Sequence, residues 1–539
     1  MIRVTCFGGA GSVTGSNYLI ETSDGKRLIV DCGLFQGGKE EESRNWEDWG
    51  YEPSRIKNLI LTHAHIDHSG RIPKFVKDGF RGTIIASPPT IELSEIMLLD
   101  SAHVQEMEAE WRTKRNRRQA RPRIEPLYTT EDARESLKYL SATELDRVID
   151  LDSGMRARLR TSGHILGSSI AELWIEDEGK VAKIVFSGDL GRQDPLIVKE
   201  PFEVAEADYL FIESTYGDRL HRPLEESKAE LLEAIRYAVS RHEKALIPAF
   251  AVERTQEILY LLGEFSREGK LPDIPVCLDS PLAIKATEIF RNNRKYYDEP
   301  ARALVRQGLD PFDVPNLRMT STAQESMEIN QLHGSAIIIA GNGMCTAGRI
   351  KHHLKHNLWR AGASIVIVGF QGRGTIGRQI VDRAKSVRIL GEKIAVRAKV
   401  FTIGGLSAHA DQRDLLAWVA PFAEKAKPRI FVVHGEPIAS RALAAEIKKR
   451  YGLEVYVPRS RETLNLGPRK GEVEVLPCAT PVDPRQAMLR VAGDLQREIA
   501  ALKEQLATGE KEFSQHDMEK LQDIQEELRV MVNTSRLTI

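Results

Sequence analysis

The sequence predicts an α/β protein with more than one domain, and three features of the chain support this. Residues 2–35 alternate short apolar runs with glycines, which is the pattern of β-hairpin strands. Between residues 218 and 393, strand-like apolar runs alternate with amphipathic helical segments, as they do around a parallel sheet. A chain of 539 residues is also longer than a single hydrophobic core usually supports. We therefore expect two or three packed domains.

Composition and charge narrow the class of protein. Hydrophobic residues make up 42% of the chain and charged residues 28%, which is ordinary for a globular protein. The formal net charge is −1, so any nucleic acid would have to be bound in a local groove and not by an overall basic surface. The five cysteines form no C-x-x-C pair, which argues against a disulfide framework or a zinc knuckle. Without a signal peptide or an apolar run of about 18 residues, we expect a soluble cytoplasmic protein that does not enter a membrane.

The most informative motif is the H-x-H-x-D-H sequence formed by His63, His65, Asp67 and His68. It directly follows the apolar run NLILT, which is predicted to be a buried strand. This spacing lets one loop direct two imidazoles at one metal ion and the Asp–His pair at another. If these groups were buried without a metal ion, each of them would need another polar partner. The motif therefore predicts a metal site.

Three further candidate ligands stand at the predicted ends of strands. His164 lies in TSGHILGSS, Asp189 in FSGDLG and His434 in VVHGE. Each follows an apolar run and has a glycine close by, so its side chain can be held at a sheet edge. Each motif is weak alone, but together with H-x-H-x-D-H, in this chain order, they indicate a site for two metal ions.

In this order the motifs resemble the metallo-β-lactamase superfamily, a sandwich of two sheets flanked by helices with two metal ions at the sheet edges. The resemblance covers residues 1–217 and about 395–475. It implies two sets of three ligands, which are His63, His65 and His164 for one ion and Asp67, His68 and His434 for the other. It also implies that Asp189 bridges the two ions and that Asp31 orients a ligand histidine.

The ligand types favour two Zn²⁺ ions, with Mn²⁺ or iron as alternatives. Diiron, oxygen-reducing members of the superfamily usually carry glutamate at the position of His65. Histidine at this position therefore favours hydrolysis over redox chemistry.

Glu213 in IESTYGDR and His409 in GGLSAHADQ resemble the additional motifs of the β-CASP branch, whose members process nucleic acids. This second resemblance covers residues 211–440. RNA-directed members of the branch have histidine at the position of His434, so the resemblance implies single-stranded RNA as the partner. Glu253 departs from the branch, because glycine is common at its position.

Candidate contacts with the RNA backbone come from arginines and glycine-rich turns in the same region. Arginine offers forked donors to phosphate oxygens, and glycine lets backbone N–H groups approach a phosphate. The candidates are Arg254, Gly343, Arg349, Gly374 and Arg378. The alternative is that the glycines only close strand-to-helix turns.

The predicted organisation is a metallo-β-lactamase αββα sandwich at 1–217 and 394–480, interrupted by a parallel α/β β-CASP domain at 218–393. Apolar residues spaced by three and four then predict a C-terminal helical hairpin at 484–530. The hairpin is either a packed appendage or a dimerisation element, and in the second case the protein would be a homodimer.

The predicted function is hydrolysis of phosphodiester bonds in single-stranded RNA, by endonuclease or 5′-exonuclease cutting or both, in RNA processing or decay. The metal ions would activate a water that Asp67 helps to orient. His409, tuned by Glu213, would protonate the leaving 3′ oxygen. The alternatives are a DNA nuclease of the same branch, a non-catalytic RNA-binding scaffold, and hydrolysis of a small ester, lactam or thioester. The complete ligand set argues against the scaffold, and the inserted domain argues against the small substrate.

Overall fold

The structure, a computed structural model, describes residues 1–117, 124–369, 371–372, 374–467 and 473–476. The helical hairpin predicted at 484–530 lies outside the described residues. In the part of the chain that the structure describes, no helix is both long enough and apolar enough to cross a membrane.

Two sheets form the centre of the fold. From one edge to the other, the first sheet contains β23 (Val473–Leu476), β22 (Glu462–Leu466), β1 (Ile2–Gly8), β2 (Asn17–Glu21), β3 (Arg27–Val30), β4 (Asn58–Ile60), β5 (Thr83–Ala86) and β6 (Leu140–Ala142). Its β1–β2–β3 and β1–β22–β23 pairs are antiparallel, whereas β3, β4, β5 and β6 run parallel. The parallel strands therefore all end at the same edge of the sheet.

The second sheet has the same mixed character. Its strands, again from edge to edge, are β21 (Val455–Tyr456), β20 (Arg429–Val432), β11 (Tyr209–Ile212), β10 (Lys180–Phe186), β9 (Ser169–Asp177), β8 (Met155–Thr161) and β7 (Val148–Asp152). Strands β10, β11, β20 and β21 are parallel, and β8 points the same way as β10 because both are antiparallel to β9. Loops that follow β8, β10, β11 and β20 consequently leave the sheet at one edge.

The inner faces of the two sheets bury a shared apolar core. Val4, Leu28 and Ile60 of the first sheet belong to one cluster with Leu173 and Phe186 of the second. The Phe186 ring stacks on Phe211 at 4.5 Å between centroids, and Phe211 stacks on Phe431 at 4.7 Å. Each buried phenylalanine contributes about 1.5–3 kcal/mol to stability. This core fixes the strand ends that carry the site.

Helices cover the outer faces of both sheets and complete the αββα sandwich. The first half supplies α1 (Lys39–Ser43), α2 (Ile66–Ser69), α3 (Ile72–Lys77), α4 (Pro88–Arg117) and α5 (Thr130–Leu137), and the second half supplies α13 (Gln412–Lys425) and α14 (Pro437–Tyr451). Short 3-10 turns cover Arg44–Trp46, Pro53–Arg55 and Arg294–Tyr296. Phe75 of α3 packs on the first sheet, and Leu415 and Leu443 of α13 and α14 pack on the second. The predicted α/β sandwich is confirmed.

A third, parallel sheet lies between β11 and α13 in the chain. Its strands, side by side, are β14 (Leu317–Met319), β13 (Val276–Leu278), β15 (Ala336–Ala340), β12 (Lys244–Pro248), β16 (Ser364–Ile367) and β19 (Lys399–Thr402). The connecting helices are α6 (Leu224–Val239), α7 (Arg254–Arg267), α8 (Pro281–Asn292), α9 (Glu299–Arg306), α10 (Ala323–Gln331), α11 (Ile350–Asn357) and α12 (Ile376–Val381). A separate hairpin, β17 (Ser386–Ile389) and β18 (Glu392–Ala395), packs beside α11 and α12.

The end of the inserted sheet differs from the predicted boundary at residue 394. Strand β19, which the sequence analysis assigned to the second part of the sandwich, pairs in parallel with β16 of the inserted sheet. The sequence of a four-residue strand does not show which sheet the strand joins, because this depends on the distant strand with which it pairs. The inserted sheet therefore extends to Thr402.

The inserted sheet shares a hydrophobic core with the sandwich. Ile165 and Leu166, from the loop after β8, lie in one buried cluster with Ala249 and Val252, from the loop after β12. The carboxylate of Glu253 also accepts a hydrogen bond from the backbone N–H of Leu166 at 3.2 Å. Glu253 has φ of +67°, a conformation that favours glycine, which is the residue expected there by resemblance. The β12 loop is thus seated directly on the β8 loop.

Candidate metal centre

All the candidate ligands follow the carboxyl ends of strands, and these ends meet at one edge of the sandwich. His63 and His65 lie in the loop after β4, whereas Asp67 and His68 lie on the short helix α2 that follows. The other three candidates come after β8, β10 and β20, and they are His164, Asp189 and His434. Asp189 and His434, which are far apart in the chain, come together here because β10 and β20 both run parallel to β11, which lies between them.

Asp189 stands between two groups of histidines. Its Oδ2 lies 3.5 Å from His63 Nε2 and 3.6 Å from His164 Nε2. Its Oδ1 lies 3.2 Å from His68 Nε2 and 3.4 Å from His434 Nε2. Each oxygen of one carboxylate therefore faces a different pair of imidazoles, which is the arrangement that a ligand shared by two metal ions requires.

Potential ligand atoms gather into two groups on the two sides of Asp189. In each group the atoms lie within 4.8 Å of one another, and the groups are His63, His65, His164 and Asp189 on one side and Asp67, His68 and His434 on the other. His63 Nε2, His68 Nε2 and Asp189 Oδ1 are buried and make no hydrogen bond within the described residues. Because unpartnered buried polar atoms are costly, these atoms fit a bound metal ion. The chain has a metal-binding centre.

The protonation states of His63 and His65 agree with this. Burial, together with the neighbouring His68, holds the pKa of His63 well below its usual range, and burial lowers the pKa of His65 to about 4. Both rings are thus neutral, as metal ligation requires. Burial also disfavours the charged form of His68, but the carboxylates of Asp189 and Asp31 outweigh it and raise the pKa of His68. The centre therefore attracts a positive charge.

Asp31 and Thr62 orient two of the imidazoles. Asp31 follows β3, and its Oδ2 accepts a hydrogen bond from His68 Nδ1 at 2.7 Å. The same carboxylate accepts from the backbone N–H and the hydroxyl of Thr62 at 2.8 and 2.9 Å. The Thr62 hydroxyl in turn lies 3.1 Å from His63 Nδ1. With Nδ1 engaged in this way, Nε2 of each ring is directed at the centre.

Ser16, which was not among the candidate residues predicted from the sequence, orients a third imidazole. Its hydroxyl lies 2.9 Å from His434 Nδ1, and its backbone N–H donates to the carbonyl of Asp67. The backbone N–H of His434 donates to the carbonyl of Gly9 in the same glycine-rich loop. The GGAGSVTGS sequence gives no sign of this role, because the contact joins residues 418 positions apart.

Glu213 and His409 lie beside the centre. Glu213 follows β11, is fully buried, and its Oε1 lies 3.3 Å from His409 Nδ1. The backbone N–H of Leu190 donates to the same oxygen at 2.7 Å, which fixes the carboxylate. His409 Nδ1 also lies 3.9 Å from Asp189 Oδ2. Burial lowers the pKa of His409, but the carboxylates of Glu213, Asp189 and Asp67 together more than compensate, and the pKa is raised to about 9.

Tyr216 and His221 hold the segment that carries His409, and neither was among the sequence-based candidates. His221 Nε2 lies 3.0 Å from the carbonyl oxygen of His409, and its backbone N–H donates to Asp411. The Tyr216 ring packs edge-on against both imidazoles, at 4.8 Å from His221 and 6.0 Å from His409. Their position in the same ESTYGDRLH stretch as Glu213 was the available signal.

The candidate arginines of the inserted sheet are already paired. Arg254 is buried and donates to Glu257 at 2.5 Å, and Arg349 donates to the buried Asp279 at 2.7 Å. Each ion pair engages one nitrogen of its guanidinium, and a role for Arg254 and Arg349 in substrate binding stays a prediction. Arg378 is more exposed and pairs with Asp382 across one helical turn.

The two candidate glycines occupy turns of the same sheet edge. Gly343 follows β15, where a side chain would meet Phe250 at 3.0 Å, and Gly374 has φ of +80° in open space. Both glycines fit the turns that they occupy, and their contact with RNA stays a prediction as well.

An αββα sandwich with this centre at its edge defines a class of metal-dependent hydrolases. Three family models match the chain, in order: the metallo-beta-lactamase superfamily at residues 10–249, the Beta-Casp domain at 255–380, and the Zn-dependent metallo-hydrolase RNA specificity domain at 393–458. Ribonuclease TTHA0252 of Thermus thermophilus is 37% identical over 461 residues, which is 86% of this chain and 99% of that protein. Transcription termination factor FttA of Thermococcus kodakarensis is 31% identical over 486 residues, which is 86% of this chain and 71% of that protein. The chain belongs to the β-CASP branch of the metallo-β-lactamase superfamily.

Proposed function

We propose that this protein is a dinuclear zinc ribonuclease that hydrolyses phosphodiester bonds of single-stranded RNA. The observation that carries the proposal is the position of His409, paired with Glu213 and 3.9 Å from the carboxylate of Asp189. A protonated imidazole at this distance from the metal ligands is placed to serve a reaction at the centre. Further support comes from the RNA specificity domain matched at 393–458 and from the ribonuclease among the relatives.

The residues that would hold the two ions are the two groups of ligands on either side of Asp189. His63, His65 and His164 would hold one ion, and Asp67, His68 and His434 the other, with Asp189 shared. When bound, two such ions polarise the scissile phosphate and lower the pKa of a water. Nitrogen and carboxylate ligands suit Zn²⁺, and Mn²⁺ is the alternative.

His409 acts as the general acid in this proposal. Because its pKa is raised to about 9, the imidazole carries a proton at neutral pH. Nδ1 faces Glu213, which leaves the Nε2 proton for the substrate. A water that has lost one proton to the solvent attacks phosphorus through its oxygen, and as the bond to the 3′ oxygen breaks, that oxygen takes the proton from His409 Nε2. Asp67, which is partly exposed, accepts a hydrogen bond from the attacking water and orients it.

The test is cleavage of a 5′-labelled single-stranded RNA beside DNA of the same sequence, with the Zn²⁺- or Mn²⁺-loaded protein. We expect RNA to be cut, and His409→Ala to reduce kcat by about 10²–10⁴-fold, which is the usual contribution of a general acid. His333→Ala, at an exposed histidine before β15, is the matched control and should cleave normally. The product ladder separates endonuclease from 5′-exonuclease cutting.

Two results would overturn the proposal. The first is a metal-loaded wild type that cleaves neither strand, which would leave a scaffold or a small-molecule hydrolase. The second is equal cleavage of DNA and RNA, which would leave a nuclease without preference for RNA.

A further inference from the structure

Three loops of the inserted sheet meet at one place, next to the metal centre. They follow β12, β15 and β16, which are adjacent parallel strands, so all three leave the sheet at its carboxyl edge. The chain runs from β12 to one side of the sheet and later returns to β16 on the other side. In open α/β sheets, ligands bind at carboxyl edges where the strand order reverses in this way.

Phe250 lies in the first of these loops, and its side chain is 39% exposed. Its backbone carbonyl accepts hydrogen bonds from both the backbone N–H and the hydroxyl of Thr255, at 3.2 and 2.7 Å, so its position is fixed at the start of α7. Among the described residues the Phe250 ring has no aromatic or cationic neighbour of the kind that most rings of this protein have. The exposed part of the Phe250 ring is thus held in place by the hydrogen bonds of its own backbone.

Two glycines, Gly343 and Gly369, lie beside this ring. A side chain at Gly343 would approach the ring at 3.0 and 3.1 Å, and one at Gly369 would approach it at 3.8 Å. The buried Gln371 ties the two glycine turns together by donating from Nε2 to the carbonyls of Gly343 and Gly369, at 2.9 and 3.2 Å. Glycine at both positions therefore lets the two turns lie against one edge of the ring.

The loop that carries Phe250 is seated on the loop that carries His164. Glu253 of the first loop accepts a hydrogen bond from the backbone N–H of Leu166 in the second. Ala249 and Val252 share a buried cluster with Ile165 and Leu166. A ligand on the Phe250 ring would therefore lie beside the edge where the phosphate is cut, and not on a remote surface.

We propose that Phe250 is a stacking platform for one unpaired nucleobase of the substrate, next to the scissile phosphate. The inference rests on the proposed ribonuclease function and adds a subsite to it. Every base has a π face, so stacking on this ring holds a single strand without selecting its sequence. A base inside a duplex is already stacked on its neighbours, so the platform also favours single-stranded over double-stranded RNA.

The experiment combines variants of Phe250 with RNA substrates that carry one abasic nucleotide at successive positions around the cleavage site. Phe250→Ala removes the ring, Phe250→Leu keeps an apolar side chain without an aromatic face, and Phe250→Tyr keeps the face. Trp359→Ala is the control, because it removes an exposed aromatic ring just before β16, at the opposite edge of the same sheet. Thermal melting and metal content verify that each variant folds.

We expect Phe250→Ala and Phe250→Leu to raise KM for intact RNA by about tenfold, with kcat nearly unchanged. Trp359→Ala should match the wild type, and Phe250→Tyr should recover most of the affinity that Phe250→Ala loses. At one position in the RNA, the abasic nucleotide should raise KM for the wild type to the same extent and have no further effect on Phe250→Ala. A 2-aminopurine at that position should lose fluorescence on binding to the wild type, but not on binding to Phe250→Ala.

Two results would overturn the proposal that Phe250 is a stacking platform. The first is a wild-type KM for Phe250→Leu. The second is that, at every position, the abasic nucleotide raises the KM of Phe250→Ala by the same factor as the KM of the wild type. Failure of the proposed function is a separate outcome, because then the wild type would not cleave intact RNA at all. Quenching of 2-aminopurine needs no cleavage, so it tests the stacking in either case.

Discussion

Two fully buried aspartates, Asp189 in the sandwich and Asp279 in the inserted sheet, occupy similar places and have opposite surroundings. Both follow the carboxyl end of a strand that has parallel neighbours. Asp279 receives hydrogen bonds from Thr320, Ser326 and the side chains of Arg349 and His353, at 2.6–2.7 Å. Asp189 Oδ1, in contrast, has no hydrogen-bond partner within the described residues.

This difference separates a structural carboxylate from a functional one. Burial alone would raise the pKa of Asp279, but its hydrogen-bond donors hold this pKa well below its usual range, and the protein itself supplies all of these donors. Around Asp189 the neighbours are imidazole nitrogens, which belong to the same two groups of potential ligand atoms. A buried carboxylate that the chain does not satisfy has to be satisfied by a cation from outside. Sequence position at a strand end does not distinguish the two cases.

Exchanging each aspartate for asparagine tests this contrast most strongly. Asp189→Asn should reduce RNA cleavage by more than about 100-fold, since even partners outside the ligand set cost 10–100-fold. Asp279→Asn should instead lower the free energy of unfolding by about 3 kcal/mol, because it leaves Arg349 without its buried partner. Activity per bound metal ion and urea unfolding measure the two effects. Equal loss of activity in two folded variants would contradict the contrast.

The carboxylate–histidine pairs of the two regions also differ in their exposure to solvent. The Asp279–His353 pair is completely buried, whereas His409 of the Glu213–His409 pair is partly exposed at the centre. A general acid works only when it is protonated, so wild-type kcat should be maintained below the His409 pKa of about 9 and fall as the pH rises through it. Glu213→Gln removes the carboxylate that raises this pKa, so the fall should begin at a lower pH.

The measurement is kcat for RNA cleavage between pH 6 and 10, with Glu213→Asp as the control that keeps the charge. Above the lowered pKa, the activity of Glu213→Gln should drop by about tenfold per pH unit, because the protonated fraction falls at that rate. If the fall in kcat at high pH occurs at the same pH in Glu213→Gln and in the wild type, then His409 is not the group whose deprotonation causes it.

The smallest expected effect concerns the orientation of the metal ligands. Ser16→Ala removes the hydroxyl beside His434 Nδ1 and should weaken metal binding by about tenfold. Ser12→Ala, in the same glycine-rich loop, is the matched control, because within the described residues its hydroxyl forms hydrogen bonds only with Thr14. Zinc release to a competing chelator gives the affinity directly. If both variants retain zinc equally, the Ser16 contact does not orient the ligand.

The ends of the strands and the candidate metal ligands could be predicted from the sequence, but the residues that contact these ligands could not. The alternation of strands and helices at 218–393 and the ordered motifs with His63, His164 and Asp189 were sufficient to predict the α/β fold and the family. The orienting role of Ser16 and the pairing of Arg349 with Asp279 could not be predicted, because they depend on contacts between residues 70 to 418 positions apart. The same reason explains why β19 was assigned to the wrong sheet.

The sequence by itself determined which side chains can hold metal ions, since ligand chemistry belongs to the residue type and strand ends follow from local apolar patterns. Only the tertiary structure decided how these side chains are used. It turned the two oxygens of Asp189 toward different histidines, paired Arg254 and Arg349 with carboxylates, and exposed the ring of Phe250 beside the centre. Whether a polar or aromatic group is satisfied depends on neighbours that long-range packing brings to it, and no local pattern records them.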